Sequence, residues 1–245
     1  MNLQQIIDKG GPWERAEIIG DCLLIQGDCL EVMRVLPNVD AVVTDPPYGI
    51  EDIVGGYGRD GRRIENDTSL DAMRDGVRGA WSLVDRGWAF VFYSSRITPA
   101  VMQAIPSADY FGEVVWNKKA PGMGKNIRYQ HENVAVLRRG ETSLIRDLFS
   151  VVNSYRVGEL HPHQKPVGLM RDLVSATTAK TVLDPFAGSG STVVACAELG
   201  LHGIGIELTG EYFDIACKRV REAYAQPDLF VAPPQQETVQ ELMDL

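Results

Sequence analysis

Residues 181–225 alternate more cleanly than any other part of the chain. An apolar strand at 181–184 is followed by a turn over 185–190, a helix over 191–199, a strand over 203–207 and a helix over 210–225. A strand that turns through glycines into a helix, and on to another strand, is the building unit of a parallel sheet covered by helices. Upstream, short strands are expected from Asp21 to Gln26, Asp40 to Thr44, Trp88 to Tyr93, Phe111 to Trp116 and Asn133 to Leu137. Helical stretches fall at Leu30 to Leu36, Ser69 to Val84, Thr98 to Ile105 and after Pro166. In the second of these, Leu70, Met73, Val77, Ala80, Trp81 and Val84 recur at three- and four-residue spacing, which is the period of one helix face. Residues Arg138 to Leu160 show only weak periodicity. The pattern predicts an α/β fold with a doubly wound sheet.

Composition bounds the class. The 245 residues are 44% hydrophobic and 23% charged, enough for one sizeable core. No apolar run reaches the roughly 18 residues of a membrane span, and the first residues lack a signal peptide's basic and apolar regions. Cys22, Cys29, Cys196 and Cys217 form no CxxC pair, as expected of reduced thiols in a cytoplasmic protein. His161 and His163 have no cysteine at ligand spacing, so no metal site is expected. The net charge is −9, but Val115 to Arg171 holds ten Lys/Arg against four acids, which places +6 there and −15 elsewhere. A basic middle in an acidic body fits local contact with nucleic acid and weak nonspecific attraction. It fits an ordinary solvated surface as well.

Two strand ends carry the chemistry. The strand 181–184 runs into Asp184-Pro185-Phe186-Ala187-Gly188-Ser189-Gly190, where glycines let backbone approach a ligand. Seventeen residues after Gly190, Glu207 ends the next strand. A carboxylate there can accept hydrogen bonds from the ribose hydroxyls of a nucleoside cofactor. The turn is one glycine short of the GxGxxG fingerprint and follows an Asp-Pro, which disfavours NAD. Asp184 suits a cofactor's charged amino acid portion. The strand Asp40 to Thr44 ends in Asp45-Pro46-Pro47-Tyr48. An exocyclic amine on adenine is a poor nucleophile because its lone pair is delocalised into the ring. The Asp45 carboxylate can accept one N–H and the Pro46 carbonyl the other, drawing the nitrogen towards a tetrahedral form. Pro46 and Pro47 fix the backbone that presents this carbonyl, and Tyr48 offers a face on which a flipped base can stack. Together the two strand ends suit methyl transfer from S-adenosylmethionine.

The chain resembles the β-group DNA amino-methyltransferases of the adenine-N6 kind over approximately residues 20–225. In that family the catalytic motif precedes the target-recognition region and the glycine turn comes last, which is the order here. The resemblance implies a Rossmann-like methyltransferase fold with a mostly parallel, twisted seven-stranded sheet, helices on both faces and a circularly permuted motif order. Gly27-Asp28-Cys29-Leu30 resembles the strand end that contacts the cofactor adenine. Trp116-Asn117-Lys118 and His131-Glu132 resemble the segment beyond the active site, and His161-Pro162-His163-Gln164-Lys165-Pro166 resembles the HPTQKP motif, with His163 in place of Thr. The implied cofactor residues are Asp28, Cys29, Lys165, Asp184, Phe186, Gly188, Gly190 and Glu207, with Lys165 facing the cofactor carboxylate. Cytosine-N4 relatives typically carry Ser at the position of Asp45, which favours adenine. Transfer to cytosine N4 or to RNA adenine, and an inactive nucleic-acid-binding subunit, are the alternatives.

Residues 1–225 are expected to form one catalytic domain in which 138–160 is a short target-recognition insert. At that length the insert is too short to be an independent domain, so recognition would be shared with neighbouring loops or with a second subunit of a homodimer or higher oligomer. Arg59, Arg62, Arg63, Lys118, Lys119, Lys125, Arg128, Arg138 and Arg139 are candidate contacts to the phosphates or bases of double-stranded DNA, and each is equally a solvated charge. Residues 226–245 form an acidic, proline-containing tail in which Gln226-Pro227-Asp228-Leu229-Phe230 resembles a sliding-clamp-binding peptide. Leu229 and Phe230 would either enter a partner's apolar pocket or fold back onto the chain's own sheet.

Overall fold

The computed structural model describes residues 1–48, 70–106, 109–119, 128–153 and 164–226. One sheet of nine strands organises them: β1 (Arg15–Ile19), β2 (Cys22–Gln26), β3 (Ala41–Thr44), β4 (Gly87–Tyr93), β5 (Tyr110–Asn117), β6 (His131–Arg139), β7 (Val151–Asn153), β8 (Thr181–Asp184) and β9 (His202–Glu207). Their spatial order is β1-β2-β9-β8-β3-β4-β6-β5-β7. The pairs β1–β2, β4–β6 and β5–β6 are antiparallel and the other five are parallel. The seven expected strands are therefore the inner part of a nine-stranded sheet.

The two additions are both edge strands. β1 is only half-buried along most of its length and β7 has three residues, so neither carries the apolar density that marks a strand in sequence. A signal for β1 was nonetheless present. Gly20-Asp21, with Gly20 at φ +57°, is a two-residue hairpin connection of the kind that glycine at a positive φ favours.

Helices cover both faces. On one side lie α1 (Leu3–Lys9), α2 (Cys29–Val32), α3 (Leu70–Ser82) and α4 (Thr98–Ala104); on the other lie α5 (Val167–Ser175), α6 (Ser191–Glu198) and α7 (Gly210–Ala225). Strand side chains alternate between the two layers, as the pleat requires. In β4, Ala89, Val91 and Tyr93 enter the first core while Trp88, Phe90 and Phe92 enter the second. Every residue of β4 is buried, and each such aromatic or branched side chain contributes about 1.5–3 kcal/mol by leaving water. The helix α1, not expected from the sequence, is capped by Asn2, whose side-chain oxygen accepts from the Gln5 amide at 3.3 Å, and it buries Leu3 and Ile6 in the first core.

The topology creates one crevice. From β3 the chain passes through α3 to β4 on one side, whereas from β8 it passes through α6 to β9 on the other. The carboxyl ends of β3 and β8 lie side by side where the winding diverges, the place at which open α/β sheets bind ligands.

Candidate active site

The two strand-end motifs open into a single cavity of about 230 Å³, lined from one side by Asp45 to Tyr48 and from the other by Asp184 to Ser189 and Glu207. The segment after β2, Gly27 to Leu30, closes one end, and Gln164 and Lys165, immediately before α5, form part of the wall. The expected catalytic and cofactor residues thus meet around one space. Of the cofactor set only Gly190 is not itself a wall residue.

The glycine turn is built for close approach. Gly188 and Gly190 adopt φ of +52° and +81°, and a Cβ on Gly190 would stand 2.9 Å from the Cβ of Ala216 on α7. A side chain is excluded there by both backbone and packing. Glu207 braces the turn: its Oε2 accepts from the Gly188 amide at 2.8 Å, while its Oε1 accepts from the Thr209 amide at 2.9 Å and the Thr209 hydroxyl at 2.7 Å. A carboxylate offers about four acceptor directions, so one on Oε2 is left for a ligand hydroxyl rather than the two that the sequence suggested. Asp28 Oδ1 accepts from the Leu30 amide at 2.8 Å and caps α2. Burial, followed by the charge of Asp28, pushes the neighbouring Cys29 thiol up to about 12, so it is a neutral wall group. The Gln164 Oε1 is buried with no hydrogen-bond partner among the described residues. An orphaned acceptor in a cavity wall fits a ligand that carries N–H or O–H donors.

Asp184 belongs to the cavity wall. It is buried, and its Oδ1 accepts from Thr44 Oγ1 at 2.9 Å and from the Phe186 amide at 3.1 Å. Burial pushes its carboxyl up to about 6 despite these hydrogen bonds and one from Thr192, and the nearby charge of Asp45 adds to the rise. Asp184 therefore ties β3 to β8 within the cavity wall.

Asp45 has both oxygens engaged. Tyr48 donates its hydroxyl to Oδ1 at 2.6 Å, and the Lys165 ammonium donates to Oδ2. Lys165 also lies 3.2 Å from Glu132 Oε2, and Glu132 in turn binds Lys118. Desolvation alone would raise the Glu132 carboxyl, but Lys165 and Lys118 hold it down at about 2. Desolvation would likewise lower Lys165, and Asp45 and Glu132 more than offset it and hold its ammonium above the usual range. Lys165, expected to face a cofactor carboxylate, is placed against Asp45. The sequence marked Glu132 only as part of a resembling segment and gave no sign of its pairing, because residues so far apart share no spacing.

Two of the expected DNA contacts are displaced by this geometry, and a third is buried. Lys118 is 8% exposed and paired with Glu132. Arg138 and Arg139 end β6, which runs antiparallel to β4 so that Arg139 lies opposite Gly87, the first residue of β4. They sit at the edge of the sheet away from the cavity. Arg138 stacks on Phe111, and Arg139 donates to the carbonyls of Trp81 and Val84 at 2.8 Å and pairs with Asp109. Strand direction, which an apolar run does not encode, sets this placement. Lys119 and Arg128 are exposed near the ends of β5 and β6 that share the cavity's edge. Arg59, Arg62, Arg63, Lys125, His161, His163 and the stretch from Pro227 to Phe230 lie outside the described residues.

Comparison with known proteins agrees with this geometry. The sequence profile of the family N6_N4_Mtase, described as DNA methylase, matches residues 141–218. The Escherichia coli (strain K12) protein named "Putative methylase YubD" is 34% identical over 197 residues, covering 77% of this chain and 85% of that protein. The crystal structure of the M1.HpyAVI–SAM complex superposes with a TM-score of 0.64 at 24% identity, over 81% of this chain and 98% of that one. The cytosine-N4-specific PvuII DNA methyltransferase superposes with a TM-score of 0.65 at 13% identity, over 87% and 95% of the two chains.

Proposed function

Because the chain belongs to the N6_N4 family of DNA methylases, we propose that it transfers the methyl group of S-adenosylmethionine to the exocyclic N6 amine of an adenine flipped out of double-stranded DNA. The observation that carries this reading is the meeting of Asp45-Pro46-Pro47-Tyr48 and the Gly188–Gly190 turn around one cavity at the point where the sheet's winding diverges.

When bound, S-adenosylmethionine supplies an electrophilic methyl group on a sulfonium. Gly188 and Gly190 open the backbone to it, Glu207 offers its remaining acceptor direction to a ribose hydroxyl, and Gln164 Oε1 accepts from one of its donors. Asp28, Cys29 and Phe186 line the remainder. On the target side, Asp45 accepts one N–H of the amine and the Pro46 carbonyl accepts the other. Withdrawing both hydrogens from the ring plane frees the nitrogen lone pair for attack. Tyr48, held by its hydroxyl on Asp45, presents its ring to the extruded base. A carboxylate at position 45, a stronger acceptor than the serine typical of cytosine-N4 relatives, supports adenine. Lys119 and Arg128, exposed by the strand ends on the same sheet edge as the cavity, are the described basic residues best placed for phosphates.

The test is methylation of DNA by the full chain with methyl-labelled S-adenosylmethionine, followed by hydrolysis to nucleosides and chromatography. Label in N6-methyl-2′-deoxyadenosine is expected. Label in N4-methyl-2′-deoxycytidine would replace the adenine assignment, and absence of label from DNA would overturn the reading.

A further inference from the structure

We infer that Glu132 is a positioning residue for Asp45: it anchors the Lys165 ammonium, which pins one oxygen of Asp45 and leaves the other with Tyr48 at the cavity. This rests on the reading of Asp45 as acceptor of the target amine. Four charges alternate in a row, Asp45 after β3, Lys165 before α5, Glu132 at the start of β6 and Lys118 just beyond β5. Lys165 is 4% exposed and has the rings of Phe92, Trp116 and Tyr48 at 5.3, 5.9 and 6.0 Å. An ammonium so far from water is tolerated only where carboxylates face it. Its two carboxylates come from different parts of the sheet. Asp45 belongs to the parallel centre, whereas Glu132 reaches the same edge because β6 runs the other way.

The division of labour follows from what each group touches. Asp45 lines the cavity and Glu132 does not, so Glu132 acts through Lys165. The other titratable neighbours are Tyr48, which donates to Asp45, and Asp184, whose carboxyl feels the charge of Asp45. Desolvation works against the Lys165 charge, and Asp45 and Glu132 together hold it. With Glu132 neutral, Lys165 gives up its proton at a lower pH, and Asp45 Oδ2 is then no longer pinned. Activity in such a variant declines on the alkaline side while the free cavity is unchanged.

The experiment is Glu132→Gln in the full chain, read in two ways. Lysine ammonium NMR, with the Lys165 signal assigned by its loss in Lys165→Arg, follows the Lys165 titration without substrate. The transition is expected to fall by about one pH unit or more in Glu132→Gln. Steady-state methylation is expected to show the alkaline limb of kcat displaced by the same interval, and KM for DNA and cofactor within about threefold of the parent. A second variant, Glu132→Gln with Lys118→Met, also removes the other cation that Glu132 pairs with. It is expected to keep the displaced titration. Coincident Lys165 titrations in parent and variants, or a kcat defect that disappears in the double variant, would overturn the inference. A displaced titration in a protein that methylates no DNA would leave the charge pairing standing and fell the functional reading instead.

Discussion

Asp45 is the side chain on which the proposed transfer turns, and its surroundings allow a test. Asp45→Ala removes the proposed acceptor of the target amine but leaves the Gly188–Gly190 turn and Glu207 untouched. Loss of transfer by about a thousandfold or more, with cofactor binding by calorimetry retained, is the expected outcome. Asp184 makes a separate prediction about stability. Its folded carboxyl titrates near 6 against an ordinary value of 3.8, so between those pH values the folded chain holds a proton that the unfolded chain has released. Its contribution to stability therefore falls as pH rises from about 4 to 6, with a slope of at most about 1.4 kcal/mol per pH unit. Glu132 acts in a different window. Held at about 2 against 4.5, it contributes stability above pH 4.5 that is lost as pH falls towards 2. Chemical denaturation across pH for the parent and Asp184→Asn should show the decline between pH 4 and 6 in the parent alone. Asp45 and Glu207 were legible in sequence because each ends an apolar strand. The Lys165–Glu132–Lys118 pairing was not, since it joins side chains from three separate segments.

Among the elements, α3 and the glycine turn set the shape of the cavity. A Cβ on Gly76 of α3 would come within 2.3 Å of the Phe186 ring. Gly76→Ala should therefore leave folding stability nearly unchanged, since alanine favours a helix by about 1 kcal/mol over glycine. The same substitution pushes the ring, and cofactor Kd should rise about tenfold, roughly 1.4 kcal/mol, by calorimetry. Gly190→Ala differs in kind. Its positive φ and the packed Ala216 predict a loss of about 1–3 kcal/mol in folding stability, read from denaturant midpoints, together with loss of cofactor binding. Strands with dense apolar runs, such as β4 and β8, were plain in sequence. The edge strands β1 and β7 and the direction of β6 were not, because partial burial weakens alternation and pairing direction depends on partners distant along the chain. That reversal is what carried Arg138 and Arg139 away from the site.

For the whole molecule, charge is distributed against tight nonspecific binding. With a net charge of −9, attraction to phosphates must be local. Replacing Lys119 and Arg128 by Gln should weaken DNA binding evenly across sequences and reduce the slope of log Kd against log salt by about 2, measured by fluorescence anisotropy. The layered α/β plan and the shared crevice could be read from motif order, whereas the nine-strand count could not.

The sheet order has a consequence for how the protein is made. β8 and β9, the last strands among the described residues, lie between β2 and β3. A nascent chain halted before residue 181 holds two sheet fragments, β1-β2 and β3-β4-β6-β5-β7, each with a bare apolar inner edge. Such edges invite pairing between molecules, so interrupted translation products should aggregate until β8 and β9 arrive to join the fragments.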